Sequence, residues 1–458
     1  MKIWINKNEN EMPDTSYDSA YIFSLNREEY STIYSNISDT WLRLGSLSIS
    51  TIYEDLFLIA ISIFAVDKRV SRSIFTDCWT REFDISIPVI ELEKWESARI
   101  LWNKTMNFLT GDVWNINFRK SENRYSQRVR QSRNRIDISG CDVVSLFSGG
   151  LDSFCGAIEL LEHGKSPCFF GHNEYPKLRA KQEKLCEQLQ NEYSSQTTKF
   201  LSFTANSRAP YSNKLGRLAR SENTSRGRSL LFLCSALTIA GILGEQTPVY
   251  IPENGFIGLN VPLTNSRKGT CSTRTTHPFF LDNFRKILEK VGIQNPIINF
   301  YAFATKREIV NSVKDKNSFK QGYADTISCS HPCLPRWDKN GNNEYPKNCG
   351  YCYPCLIRKS SLIDITNNHE PYSYESVYMD FLNKFAESDK TSDLTAVISS
   401  IYRYKTVDDN EIKRLIRCTG QLSNDEIEKF LQVYKDTMED LIELFSTDEK
   451  LKAYVGIQ

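Results

Sequence analysis

Residues 142–161 read DVVSLFSGGLDSFCGAIELL, from Asp142 to Leu161, and this stretch decides the fold. Its apolar opening, ending at Leu146 and Phe147, predicts a buried strand. Ser148-Gly149-Gly150 follows as a loop. From Asp152 onward Phe154, Ala157, Ile158 and Leu161 recur at helical spacing, and Gly164 stands just beyond as a stop signal. Two adjacent glycines let the backbone curl so that successive N–H groups face one concavity at a helix N-terminus, which is an anion site. The Ser148 and Ser153 hydroxyls add donors. The loop lacks the lysine and the longer spacing of GxxxxGK[ST], and it is not GxGxxG. The competing reading makes Ser148 a plain helix cap and Asp152 a first-turn acid favoured by the helix dipole.

Outward from this loop, apolar strands alternate with amphipathic helices. Strands are expected at Asp142 to Phe147, Cys168 to Gly171, Phe200 to Phe203, Pro248 to Ile251 and Ile297 to Phe303. The helices are expected at Asp152 to Glu162, Leu178 to Gln190, Ser229 to Gly241, Pro278 to Val291 and Lys306 to Lys314. That alternation predicts an α/β fold, a doubly wound parallel sheet covered on both faces. Such sheets bind ligands at the carboxyl ends of their strands, where Pro252-Glu253-Asn254-Gly255 falls. Glu253 and Asn254 could there read the donor edge of a purine-like base, or the segment is only a turn. Arg228, in Gly227-Arg228-Ser229, reads locally as capping a helix or pairing with a surface acid. Thr305 and Glu308 fit a capping box as well as a site, and Lys306 points either to phosphate or to solvent. Ser266 to Phe279 is polar and basic and reads as a mobile loop closing the site, with His277 a turn or cap residue.

Late in the chain, Cys349, Cys352 and Cys355 stand in two overlapping CxxC spacings within NCGYCYPCLIR. Three thiolates can converge from that spacing, and a closed tetrahedral zinc site needs a fourth ligand, for which Cys329 and Cys333 are candidates. A catalytic or redox CxxC and unliganded core cysteines are the alternatives.

SGGLDS resembles the SGGxDS signature of PP-loop ATP pyrophosphatases, the adenine nucleotide alpha-hydrolase-like enzymes. Together with Thr326-Ile-Ser-Cys329, CGxCxxCxxR, the GRS in place of a GRN segment and Thr305-Lys306-Arg307-Glu308 in place of D-K-x-E, it resembles the QueC-like family of 7-cyano-7-deazaguanine synthases. The resemblance spans about residues 140–365, and the gap from Cys329 to Cys349 is longer than the family usually has. The flanking additions resemble the enlarged QueC-like proteins of Qat and CBASS anti-phage defence operons. The resemblance implies ATP, Mg2+ and Zn2+. It implies ATP binding by Leu146, Phe147, Ser148, Gly149, Gly150, Asp152, Ser153, Gly227 and Arg228, and catalysis by Asp152, Ser153, Arg228 and Lys306. Glu253 and Asn254 are the expected substrate-binding pair, and the resemblance implies Cys329, Cys349, Cys352 and Cys355 as metal ligands, with Cys333 spare. The implied reaction adenylates a 7-carboxy-7-deazaguanine-like acid and passes it to an amine, on a protein partner from the same operon in the defence relatives and on ammonia in nitrile synthesis. A catalytically idle ATP-sensing scaffold is the reading from another class, and a homodimer is suggested.

The rest of the chain bounds these readings. At 458 residues two or three domains are expected, and Lys+Arg 57 against Asp+Glu 56 leaves no overall polyanion-binding surface. No signal-like apolar start and no run of bilayer length are seen, so the expected location is the cytoplasm with no membrane contact. Residues 1–118 read as an α+β domain and 119–139 as a basic linker, with RKSENRYSQRVRQSRNR a solvated connector or a strip for nucleic acid. Residues 140–325 are the ATP domain, 326–366 the zinc segment and 367–458 a helical tail.

Overall fold

The computed structural model describes residues 1–7, 11–25, 31–45, 49–126, 135–222, 224, 226–264, 274–337, 344–365, 370, 372–374, 377–386 and 388–456. Five strands, Val143–Leu146, Pro167–His172, Lys199–Phe203, Val249–Tyr250 and Ile297–Ile298, pair in parallel throughout one sheet. Counted first to fifth along the chain, they lie side by side as fifth, fourth, first, second, third. The order therefore reverses between Val143–Leu146 and Val249–Tyr250, which opens a crevice at their carboxyl ends. Neighbouring side chains on the second strand go to opposite faces. Phe169 packs with Phe154, Leu185 and Ile309, while Cys168 and Phe170 join the core under Leu230, Leu237 and Phe284. Both faces are thus covered, as near-continuous apolar strands require.

The expected helices are present as Leu151–Glu162, Pro176–Glu192, Arg226–Leu243, Pro278–Val291 and Lys306–Val313. The strand expected over 297–303 stops at Ile298. The Asn299 side chain takes the Tyr301 N–H at 3.0 Å and the Tyr301 carbonyl takes the Ala304 N–H at 3.0 Å, which turns the chain out of the sheet.

The N-terminal part is not α+β as expected. Lys2–Asn6 lies between Tyr21–Ser24 and Glu82–Val89, and Val113–Lys120 follows, all in parallel register. The half-exposed alternation of Val113–Lys120 resembles an antiparallel edge in sequence, but the helix Leu92–Thr110 returns the chain in parallel instead. Two antiparallel strands from the middle of the chain, Tyr211–Ser212 and Gly216–Arg217, complete this sheet. Ile33–Ser35 likewise pairs with Ala205–Ser207. The buried helix Thr51–Arg69 packs on Arg226–Leu243, so a single apolar core runs through both units. Arg226–Leu243 has the length and apolarity of a membrane span, and 67% of that window is buried in this core.

The first half of the basic segment is not an exposed strip. Arg119 lies 3.7 Å from the Trp4 ring centre and pairs with Glu11 at 2.7 Å, and Arg124 pairs with the buried Glu54 at 3.0 Å. Residues 127–134 lie outside the described residues. The tail is helical as expected. Asn424–Ser446 starts at a capping box of Ser423 and Glu426 and buries Ile427, Phe430, Tyr434, Met438 and Leu441 against the zinc segment and Phe256.

Candidate active site

Gly149 holds φ +82°, a left-handed conformation that favours glycine, and this curls the loop after the first strand. The amides of Ser148, Gly149, Asp152 and Ser153 have no acceptor among the described residues, while Gly150 N–H is held by the Ser148 hydroxyl at 3.2 Å. The Ser153 hydroxyl lies 3.1 Å from that of Ser148. Free amides at the start of Leu151–Glu162 could receive an anion, as the sequence leads one to expect.

A cleft of about 580 Å³ opens over this loop. Leu146, Ser148, Gly150, Asp152 and Ser153 line one side, Arg228 another, and Glu253 and Lys306 a third. Asp152 is buried and forms an ion pair with Lys306, which reaches it from the first turn of Lys306–Val313. Asn254 donates its amide to the second Asp152 oxygen at 2.7 Å, and its own oxygen caps Gly255–Leu259 through Ile257 N–H at 3.0 Å. Asn254, expected to read substrate, is thus bonded at both ends, to Asp152 and to Ile257, and does not line the cleft. Glu253 stays in the lining. Burial, then the nearby Asp152 charge, pushes its carboxyl up to about 8, with Lys306 opposing.

Three other expected ATP contacts flank the cleft instead of lining it. Phe147 is buried in the core and Gly149 turns its back to Gln182 and Leu178. Gly227 packs so close to Thr51–Arg69 that a Cβ would meet the Phe64 Cα at 2.9 Å, and its N–H donates to Asp67 at 2.9 Å. Glu308 caps its helix through a complete box with Thr305. His277 caps Pro278–Val291 from a buried position, and residues 266–273 of the expected closing loop lie outside the described residues.

Several residues that sequence reading passed over border the cleft. Arg228 pairs with Glu174 at 2.6 Å, and this guanidinium holds the Glu174 carboxyl low against the cost of burial. His172 is buried with Nε2 unpartnered among the described residues, and burial, then Arg228, pushes it down to about 3, so it is neutral. The only signal for either was its place at or just beyond the end of the second strand. His172, Glu174 and Tyr175 also border an adjoining cavity of about 770 Å³, whose far wall is Tyr34, Asn36, Phe64 and Tyr125 of the N-terminal part.

Cys329, Cys349, Cys352 and Cys355 bring their sulfur atoms within 4.8 Å of one another and could hold a metal such as zinc. Cys352 to Cys329 is 3.7 Å and Cys349 to Cys355 is 3.9 Å. An edge of about 3.8 Å is expected of a tetrahedron with metal–sulfur bonds of roughly 2.3 Å. Backbone amides of His331 and Cys349 point at Cys329 Sγ at 3.2 and 3.3 Å, and Cys352 N–H at Cys349 Sγ at 3.3 Å, as thiolate ligands require. Cys333 lies outside this group, which resolves the choice of the fourth ligand. Searched against known proteins, the chain matches no family model and no curated protein.

Proposed function

We propose that this protein is a ligase that adenylates a 7-deazaguanine carboxylic acid with ATP and transfers the acyl group to an amine of a protein partner. The observation that carries the reading is the meeting of the SGGLDS loop, the Asp152–Lys306 pair, Arg228 and Glu253 in one cleft where the strand order reverses. The free loop amides would hold the leaving diphosphate. The acid's oxygen attacks the α phosphorus while the bond to the bridging β oxygen breaks, and pyrophosphate leaves with the electron pair. Lys306 and Arg228 offset the charge that develops. The amine then attacks the acyl carbon, AMP departs, and the amine proton goes to solvent. Magnesium, when bound, would neutralise phosphate charge. Asp152 and Glu253, carboxyl groups close enough that the Asp152 charge raises the proton affinity of Glu253, are the donors that suit a hard cation.

The large cavity walled by the N-terminal part supports an acceptor bigger than ammonia. The cleft itself, however, takes all its lining from residues 146–393. That favours, as the second reading, nitrile synthesis with ammonia, in which the N-terminal part takes no part; of the tail's described residues, only Asp393 reaches the lining. Intact-mass measurement of proteins encoded beside this chain separates the two. An adduct of the deazaguanine acid that requires ATP supports conjugation, and a free nitrile product with no adduct supports the alternative. ATP binding without any pyrophosphate release would leave only a nucleotide-sensing scaffold.

A further inference from the structure

Two hydrogen bonds tie the segment before Cys329 to the phosphate loop. Ile327 N–H donates to the Gly149 carbonyl at 2.8 Å, and the Ser328 hydroxyl accepts from Leu151 N–H at 3.0 Å. A trans peptide unit points its C=O and N–H in opposite directions. Holding the Gly149 carbonyl against Ile327 therefore aims Gly150 N–H the other way, toward the Ser148 hydroxyl and the interior of the loop. Two consecutive glycines have wide backbone freedom, and the loop needs an outside hold to keep this one curl.

The segment supplying that hold is itself fixed from the cysteine cluster. Asn348, next to Cys349, accepts Ser328 N–H at 2.9 Å and donates to the Thr326 carbonyl at 3.1 Å. Arg358, one turn beyond Cys355 on the helix Tyr353–Ser361, is fully buried and donates to Thr326 Oγ1 at 2.6 Å and the Tyr323 carbonyl at 2.7 Å. Cys329 ends the segment inside the cluster. Apart from the Tyr323 carbonyl, which takes the Thr326 N–H and hydroxyl, these anchors of residues 326–329 lie on residues next to or one turn from a sulfur ligand.

We infer that residues 326–329 form a strap through which metal held by the four cysteines preorganises the phosphate loop, with Ser328 as a positioning residue acting through Leu151. This rests on the loop binding the phosphates of ATP. A strap of this kind makes metal and nucleotide affinities depend on each other by one shared factor, because linkage is reciprocal.

The test uses the full zinc-loaded chain, α,β-methylene ATP with magnesium as the nucleotide probe, and a chromophoric chelator competing for zinc. In the unaltered protein, saturating nucleotide tightens zinc about fivefold or more, the lower range of typical couplings. Ser328→Ala keeps full zinc loading but loses most of that tightening and binds the nucleotide correspondingly more weakly; Ser328→Thr restores both. A protein that binds the nucleotide with zinc affinity unchanged, or a Ser328→Ala variant with the full coupling, overturns the strap. If calorimetry shows no nucleotide binding to the unaltered protein, the ATP reading fails and the strap with it.

Discussion

Lys306 pairs with Asp152 across the cleft, although 154 positions separate them in the chain and the two side chains are only 6% and 8% exposed. Helix Lys306–Val313 supplies the cation and helix Leu151–Glu162 the anion, so the pair spans the site from opposite sides. A buried pair broken at one partner leaves an unpaired charge, which costs roughly 3–5 kcal/mol. Such a pair is weak evidence of a stabilising device, and its place over the loop amides suits chemistry on phosphate.

Asp152→Asn keeps the size of the side chain and removes its charge. Pyrophosphate release in the presence of a deazaguanine acid is expected to fall by about 100-fold or more, the scale of losing one electrostatic group in a reacting site. Circular dichroism should show the same helix content. Near-normal release from this variant would refute the role given to Asp152.

Glu253 gives a pH signature. Its carboxyl titrates at about 8 in the folded chain, against an ordinary value of 4.5. The folded state therefore binds the proton more tightly than the unfolded one. The associated stability is fully present below pH 4.5 and is lost as the pH rises through 8. Glu253→Gln should melt at nearly the same temperature as the unaltered protein at pH 5, and several degrees higher at pH 9. Thermal scans across that range check it, and equal melting differences at both pH values would contradict the assignment.

The central sheet was legible because its strands are apolar on both faces and the helix Leu151–Glu162 carries a clear 3.6-residue period; Phe154, Ala157, Ile158 and Leu161 all prove buried. The cysteine cluster was legible because metal geometry constrains spacing tightly. Less could be read where contacts are made far along the chain. Nothing local tells that Tyr211–Ser212 joins the N-terminal sheet, or that Arg119, in a run of basic residues, stacks on Trp4. Asn254 illustrates the same limit inside the site. An amide after a strand is a reasonable base reader, and only the fold reveals that both its ends are already committed, to Asp152 and to Ile257. Ser328 was seen only as part of a motif, since its partner Leu151 is 177 positions away.

Gly227 tests whether the N-terminal helix is fused to the unit that carries the central sheet. A Cβ there would meet the Phe64 backbone at 2.9 Å and the Asp67 carboxylate at 3.0 Å, and backbone cannot swing aside as a side chain can. Gly227→Ala is expected to cost about 1–3 kcal/mol, the usual penalty for overpacking. Denaturant unfolding should show that loss. A stability within error of the unaltered protein would mean that the two helices approach less closely than 2.9 Å contacts imply.

Cys352→Ser tests the metal centre. Cys352 is buried, 3.7 Å from Cys329, and its N–H donates to Cys349 Sγ, so it would be both a ligand and part of the frame for another. A hydroxyl is a poor substitute for thiolate toward zinc, and three remaining sulfurs leave the tetrahedron open. Elemental analysis should find about one zinc per chain in the unaltered protein and far less in the variant. Because metal-binding free energy contributes directly to folding in such sites, the melting temperature should fall together with the zinc content. The tail should loosen as well, since Leu356 and Ile357 on the helix that follows Cys352 pack in the same core as Phe430 and Tyr434. Limited proteolysis would then cut the variant within residues 377–456 while the unaltered chain resists, whereas unchanged zinc stoichiometry in the variant would exclude Cys352 from the ligand set.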